Sequence, residues 1–216
     1  MKTHYIFLMT TLFLILSGRT VAAQHPELSG KDATVIVNQV QKKLERFCEM
    51  IELVGTYASA PQSRKLSIIK DDVPSLFWRI EERKMVVTSK ACPTGRSKRM
   101  PEYLRQLLLQ SKYSSAAPLY RCRPLTSFVQ ACGRSDNWHY VCLQDGVAVF
   151  EAQVAYHQEY YLNDMSHGVE RVKLRAMESE TKKMKVYLLI TQTGNGQSVN
   201  IIRLGDVIAS EREDKK

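Results

Sequence analysis

His139, Tyr156, Gln158, Tyr160 and Arg203 are the side chains of this sequence whose types and spacing suit a small-molecule site. A histidine can act as a base near neutral pH, an arginine can hold an anion, and tyrosine and glutamine supply directed hydrogen bonds on an apolar surface. Turn parity brings them together. Asp145-Gly146 is a hairpin signal, because Asp and Gly accept the positive φ that a two-residue turn needs. That turn pairs Val141 with Phe150 and His139 with Ala152. Alternation along the next strand adds Tyr156, Gln158 and Tyr160 to the same face. A two-residue turn at Asn195-Gly196 pairs Leu188 with Arg203, which brings Arg203 to the apolar face. The set contains no Asp or Glu, so His139 is its one candidate base.

A second set faces the other way. Arg171, Lys173 and Arg175 alternate with Val172, Leu174 and Ala176, and Lys183 and Lys185 alternate with Met184 and Val186. An odd-length loop around Glu180-Thr181 joins these five cations into one patch on the outer face of a sheet. Such a patch suits an acidic partner, or is a solvated face that discourages edge pairing. There is no Ser-centred elbow, HExxH or Gly-rich phosphate loop. No catalytic residue, cofactor or metal is therefore assigned. Cys142 lies three residues after His139, so the two alternate to opposite faces and do not share a metal.

The N-terminus reads as a secretory leader. Lys2 precedes an apolar run over 6–16, and Val21-Ala22-Ala23 fits a cleavage site, so the mature chain is expected to begin at Gln24. That run is short of the roughly 20 residues a spanning helix needs. No cysteine stands at the cleavage site to carry a lipid. The formal net charge of +9 falls by two, to +7, once Lys2 and Arg19 are removed. A basic exported protein points to acidic proteins, glycans or anionic membrane surfaces, and away from nucleic acid. The five cysteines are Cys48, Cys92, Cys122, Cys132 and Cys142, an odd number in a compartment that permits disulfides. A two-residue turn at Asp136-Asn137 pairs Cys132 with Val141, which argues against a Cys132–Cys142 bond. Cys48 reads as a small buried hydrophobe.

Helices come first. Ser29 and Asp32 form a box-like N-cap, and Val37, Val40, Leu44, Phe47, Cys48, Ile51 and Val54 recur at helical spacing over 31–57. Helical stretches follow at 64–72 and 102–112, with an apolar turn at 75–80, a short strand at 85–89 and a basic loop at 92–99. Strands are predicted at 120–132, 138–143, 147–162, 169–178, 183–193 and 197–209. The fold class is α+β. A long N-terminal helix and shorter helices pack on a curved, mostly antiparallel sheet of about six strands, in a single domain spanning 24–216.

The order of these elements, with the closing stretches Lys182-Lys-Met-Lys-Val-Tyr-Leu-Leu-Ile-Thr191 and Ile201-Ile-Arg-Leu-Gly-Asp-Val-Ile208, resembles exported members of the nuclear-transport-factor-two-like superfamily. The resemblance implies a cone-shaped, cystatin-like fold whose concave face and helices enclose a pocket. His139, Tyr156, Gln158, Tyr160 and Arg203 would line it, suiting a small amphipathic or anionic ligand. That superfamily holds both enzymes and binding modules, so the fold does not fix the activity. The reading is an exported, non-enzymatic binding or accessory protein. The alternatives are an isomerase- or lyase-type enzyme with His139 as base and Arg203 as anion holder, and an envelope or adhesive subunit acting through the basic face.

Overall fold

Ser29 starts the longest helix. Its hydroxyl accepts from the Asp32 amide at 3.2 Å while the Asp32 carboxylate accepts from the Ser29 amide at 3.1 Å, a capping box that satisfies two groups a helix start leaves open. Helix α1 (Gly30–Gly55) follows. Ile36, Val40, Leu44, Phe47, Ile51 and Val54 form one fully buried stripe along it, as the helical spacing requires. The computed structural model describes residues 26, 28–89, 92–113, 118–163, 174–192 and 198–212. The expected leader lies outside them.

Helix α2 (Gln62–Ser67) runs into a wider turn, Ile68–Asp72, closed by the Val73 amide on the Ile68 carbonyl. Strands β1 (Lys84–Ser89) and β2 (Cys92–Arg99) form a hairpin, and helix α3 (Met100–Tyr113) follows directly. Strand β3 (Pro118–Pro124) leads into helix α4 (Thr126–Ala131). Then come β4 (His139–Gln144), β5 (Val147–Asn163), β6 (Leu174–Gln192) and β7 (Ser198–Arg212). The sheet order is β2-β1-β7-β6-β5-β3, with β4 beside β3 on the same side of the long β5. The β1–β7 pairing is parallel and the others are antiparallel. The fold is therefore α+β, with a long N-terminal helix and a mostly antiparallel sheet of seven strands among the described residues.

Three local expectations fail. The basic segment Cys92–Arg99 is a strand, not a loop, because it pairs along β1. The strand expected over 120–132 stops at Pro124, whose ring cannot continue a ladder; Thr126–Ala131 is helical and buries Val129. The two strands expected at 169–178 and 183–193 become one 19-residue strand over the described part. No turn exists at Glu180-Thr181. That polar run lies inside the sheet, with Ser179, Glu180 and Lys182 all buried.

The turn at Asp145-Gly146 is as expected. Both residues have positive φ (51° and 76°), and Gln144 pairs with Val147. The far hairpin differs. Gln192 pairs with Ser198 and Leu188 with Ile202, one residue out of step with the pairing that a two-residue Asn195-Gly196 turn gives.

Two devices hold the sheet to its cover. The amides of Cys122 and Tyr120 on the edge strand β3 donate to Glu52 Oε1 (2.6 Å) and Thr56 Oγ1 (3.0 Å) of the α1 end, which blocks that edge. On the outer face, Gly205 lets the Tyr187 ring cross β7: a Cβ there would lie 2.4 Å from that ring. Tyr187 then packs edge-on against Trp78 at 4.8 Å, and the buried Arg83 reaches the Tyr187 hydroxyl (3.1 Å) and Asp206 (3.3 Å).

Candidate functional site

Helix α3 lies over the concave side of the sheet, anchored where the Met100 amide donates to the Arg83 carbonyl at 2.8 Å. Its Leu104 and Leu108 fill the core. Tyr103, Gln106, Leu107 and Gln110 instead face a cavity of about 250 Å³. Val87 and Tyr120 form its sides, and Gln158, Tyr160, Glu180 and Lys182 its floor. The sheet register explains that floor. Gln158 is opposite Glu180, and Tyr156 is opposite Lys182, on one face of adjacent strands.

The floor carries an ion pair. Lys182 Nζ and Glu180 Oε2 are 2.8 Å apart, with only 2% and 7% of their side chains exposed. Lys182 Nζ also donates to the Val86 carbonyl at 3.4 Å. Beside the pair, Gln158 Oε1 is buried and has no hydrogen-bond partner among the described residues. Native proteins leave few buried acceptors in that state, so each one calls for a reason. Burial pushes the Tyr103 hydroxyl well above its ordinary pKa, against the opposing pull of a hydrogen bond from Gln158. Tyr103 is thus a neutral donor at any physiological pH. Tyr120 and Tyr160 meet at 5.0 Å between ring centres and make an aromatic wall. Gly55 gives that wall room, since a Cβ there would sit 2.5 Å from the Tyr120 ring.

Of the five residues expected to share the pocket, Gln158 and Tyr160 line this cavity. Tyr156 is fully buried, packed edge-on against Phe47 at 5.7 Å with its hydroxyl 3.9 Å from Met85 Sδ, and belongs to the core. His139 is not in the cavity. The β4–β5 ladder skips Val141, so His139 pairs with Glu151 instead of Ala152 and is exposed. Arg203 is not there either. The one-residue difference in the far hairpin puts it opposite Tyr187, on the outer face. In each case a one-residue step exchanges the faces.

The basic patch is only partly within view. Arg171 and Lys173 lie outside the described residues, as does the Arg175 side chain. Lys183 and Lys185 do fall on the outer face, opposite Ala155 and Gln153. Lys185 is tied to both Glu151 carboxylate oxygens at 2.9 and 3.2 Å. The β5–β6 ladder skips Met177 and pairs Arg175 with Leu162, so the register does not run evenly from Arg175 to Lys183. The odd-length loop that was to align all five cations does not exist.

Glu180, Lys182, Tyr103 and Tyr120 were missing from the sequence-derived set. Glu180 supplies the carboxylate that the inward face had lacked. Its signal was present in phase, since Glu180 and Lys182 continue the alternation of Met184, Val186 and Leu188.

No family model matches the sequence, and no curated protein matches it. Among solved structures, a nuclear transport factor 2 (NTF2-like) superfamily protein from Salmonella enterica subsp. enterica serovar Typhimurium str. LT2 aligns over 84% of this chain and 94% of its own, at 11% identity and a TM-score of 0.35. A superposition that loose assigns no function. No helix among the described residues is long and apolar enough to cross a membrane, and they hold no group of three or more His, Cys, Asp or Glu placed to bind a metal ion.

Proposed function

We propose that this chain is an exported, non-enzymatic binding protein that holds a small, largely uncharged molecule between α3 and the sheet. The observation that carries the reading is the unpartnered Gln158 Oε1 at the cavity floor. A ligand with one hydrogen-bond donor satisfies it. The Tyr120–Tyr160 wall supplies apolar contact for a planar body. The Glu180–Lys182 pair is internally neutralised, which favours a neutral polar group over a free anion. The volume suits a ligand of small size, below the usual range of about 300–1,000 Å³ for drug-sized pockets.

Ligand-observed NMR against small amides, alcohols and phenols tests the reading. A hit is expected with the wild type. Gln158→Leu should weaken it at least about tenfold, the equivalent of one good hydrogen bond. The same variant should stay folded and lose no more than about 1–3 kcal/mol of urea stability, because the amide it removes also donates to the buried Tyr103 hydroxyl. A wild-type cavity that takes none of these probes, with no small molecule retained in native mass spectrometry, overturns the reading.

Membership of the nuclear-transport-factor-two-like superfamily is part of the proposal. It rests on the element order and the closing strands over 182–191 and 201–208. Export rests on the leader, and intact-mass analysis of the exported protein is expected to find Gln24 first. A mass that includes residues 1–23 would contradict it. An isomerase- or lyase-type enzyme gains one observation, the Glu180 carboxylate at the cavity floor, and loses both groups first assigned to it, His139 and Arg203.

A further inference from the structure

We infer that Cys48 and Cys122 form a disulfide that staples α1 to the edge strand β3. Their sulfur atoms are 3.0 Å apart, although 74 positions separate them in the sequence. A disulfide brings two sulfurs to about 2.0 Å, so closure needs a shift of only about 1 Å. Neither residue is free to drift away. The Cys122 amide is held by Glu52 of α1 at 2.6 Å, and the Tyr120 amide by Thr56 at 3.0 Å. The Tyr57 amide donates to the Pro118 carbonyl at 2.7 Å, so the helix end and the strand are tied at three successive points that begin beside the sulfur pair.

Access sets the order of the chemistry. Cys48 is 2% exposed. Cys122 lines an open depression with Glu52, Arg121, Arg123, His157 and Glu159. An external disulfide, either a low-molecular-weight one or that of an oxidoreductase, is the oxidant. The Cys122 thiolate attacks one of its sulfurs and expels the other as a thiolate. The Cys48 thiolate then attacks Cys122 Sγ of the mixed disulfide and expels the second thiolate. Overall the two cysteines lose two electrons and two protons, and the external disulfide is reduced to two thiols. In the folded dithiol, burial and the neighbouring Cys48 and Glu52 hold the Cys122 thiol well above its ordinary pKa. Attack by the folded dithiol is therefore slow and starts at Cys122, the sulfur at the open depression. Cys132 is no competitor. It is buried, with Sγ 3.6 Å from the Phe128 carbonyl, and burial pushes its thiol up to about 12.

The test is refolding of the reduced wild-type chain in a glutathione redox buffer, followed by alkylation and peptide mapping without reduction. Trypsin leaves Cys122 and Cys132 on one peptide, because Pro124 blocks cleavage after Arg123. Fragment-ion sequencing, repeated on Cys132→Ala, separates them. The expected result is a Cys48–Cys122 crosslink that dithiothreitol removes. Its removal should lower the urea midpoint by about 1 M or more, since the staple closes a long loop. Cys122→Ser should show the lower midpoint and no response to dithiothreitol. Full alkylation of Cys48 and Cys122 in the refolded, unreduced wild type, or a bond from either to another cysteine, overturns the inference. Because the oxidant is supplied in the buffer, the outcome does not depend on whether the chain is exported.

Discussion

Lys182→Met is expected to cost about 3–5 kcal/mol of folding stability, the usual penalty for breaking a buried ion pair from one side. Lys182 and Glu180 are 2.8 Å apart and almost wholly withdrawn from water. Removing the ammonium takes a cation away from the carboxylate at the cavity floor, beside Gln158, whose own oxygen has no partner among the described residues. The loss is therefore the cost of taking the cation away from a buried carboxylate, not the net worth of the pair. The double variant Lys182→Met/Glu180→Leu discriminates between the two, since apolar residues often replace a buried pair without net loss. It should recover most of the stability in a urea titration. A loss below about 1 kcal/mol in the single variant, the range of exposed pairs, would place both groups in water.

Leu188→Asp is expected to abolish cooperative folding. Leu188 is 0% exposed and lies between Phe150 and Ile202 in the ladder, on the face that meets α1. A carboxylate has no partner there, and the cost of burying one is of the order of the whole stability of a domain, about 5–15 kcal/mol. Ile201→Asp is the matched control. Ile201 is opposite Leu189, on the outer face, and is 36% exposed. It should stay within about 0.5 kcal/mol of the wild type, as ordinary surface positions do. Far-UV circular dichroism and a urea titration read both. The reverse pattern, with Ile201→Asp unfolded and Leu188→Asp intact, would mean that the two faces of the sheet are exchanged.

Elements with a strong period were legible. The capping box and apolar stripe of α1, the Asp145-Gly146 turn and the alternation of β5 all hold. What failed depended on single residues that carry little local signal. Skipping Val141 moves His139 to the other face of the sheet, and a pairing of Gln192 with Ser198, one residue out of step with a two-residue turn, moves Arg203. Neither step changes the propensity of its segment, so neither is visible in a period. The run Glu178-Ser-Glu-Thr-Lys182 was misread for a different reason. Polar residues in sequence suggest a turn, yet here two of them answer each other along one strand and a third answers the neighbouring strand. Glu180 is paired to Lys182, and Ser179 lies 3.2 Å from His157 Nε2. Partners 22 residues apart are a tertiary fact that local reading cannot supply. Gln158 and Tyr160 were found because β5 keeps its phase unbroken up to Tyr160.

The parallel seam between β1 and β7 sets an order of events. β1 meets β7 at Met85 and Val207, and the neighbouring segment bridges Phe77 to Leu204, with the Trp78 amide on the Leu204 carbonyl. The β1–β2 hairpin thus has no place in the sheet until the last strand arrives. A ribosome delivers this chain from the other end. By the time β7 is available, the hairpin has waited more than a hundred residues of synthesis with its docking edge unmatched. The sheet closes late, because its first strand is a neighbour of its last.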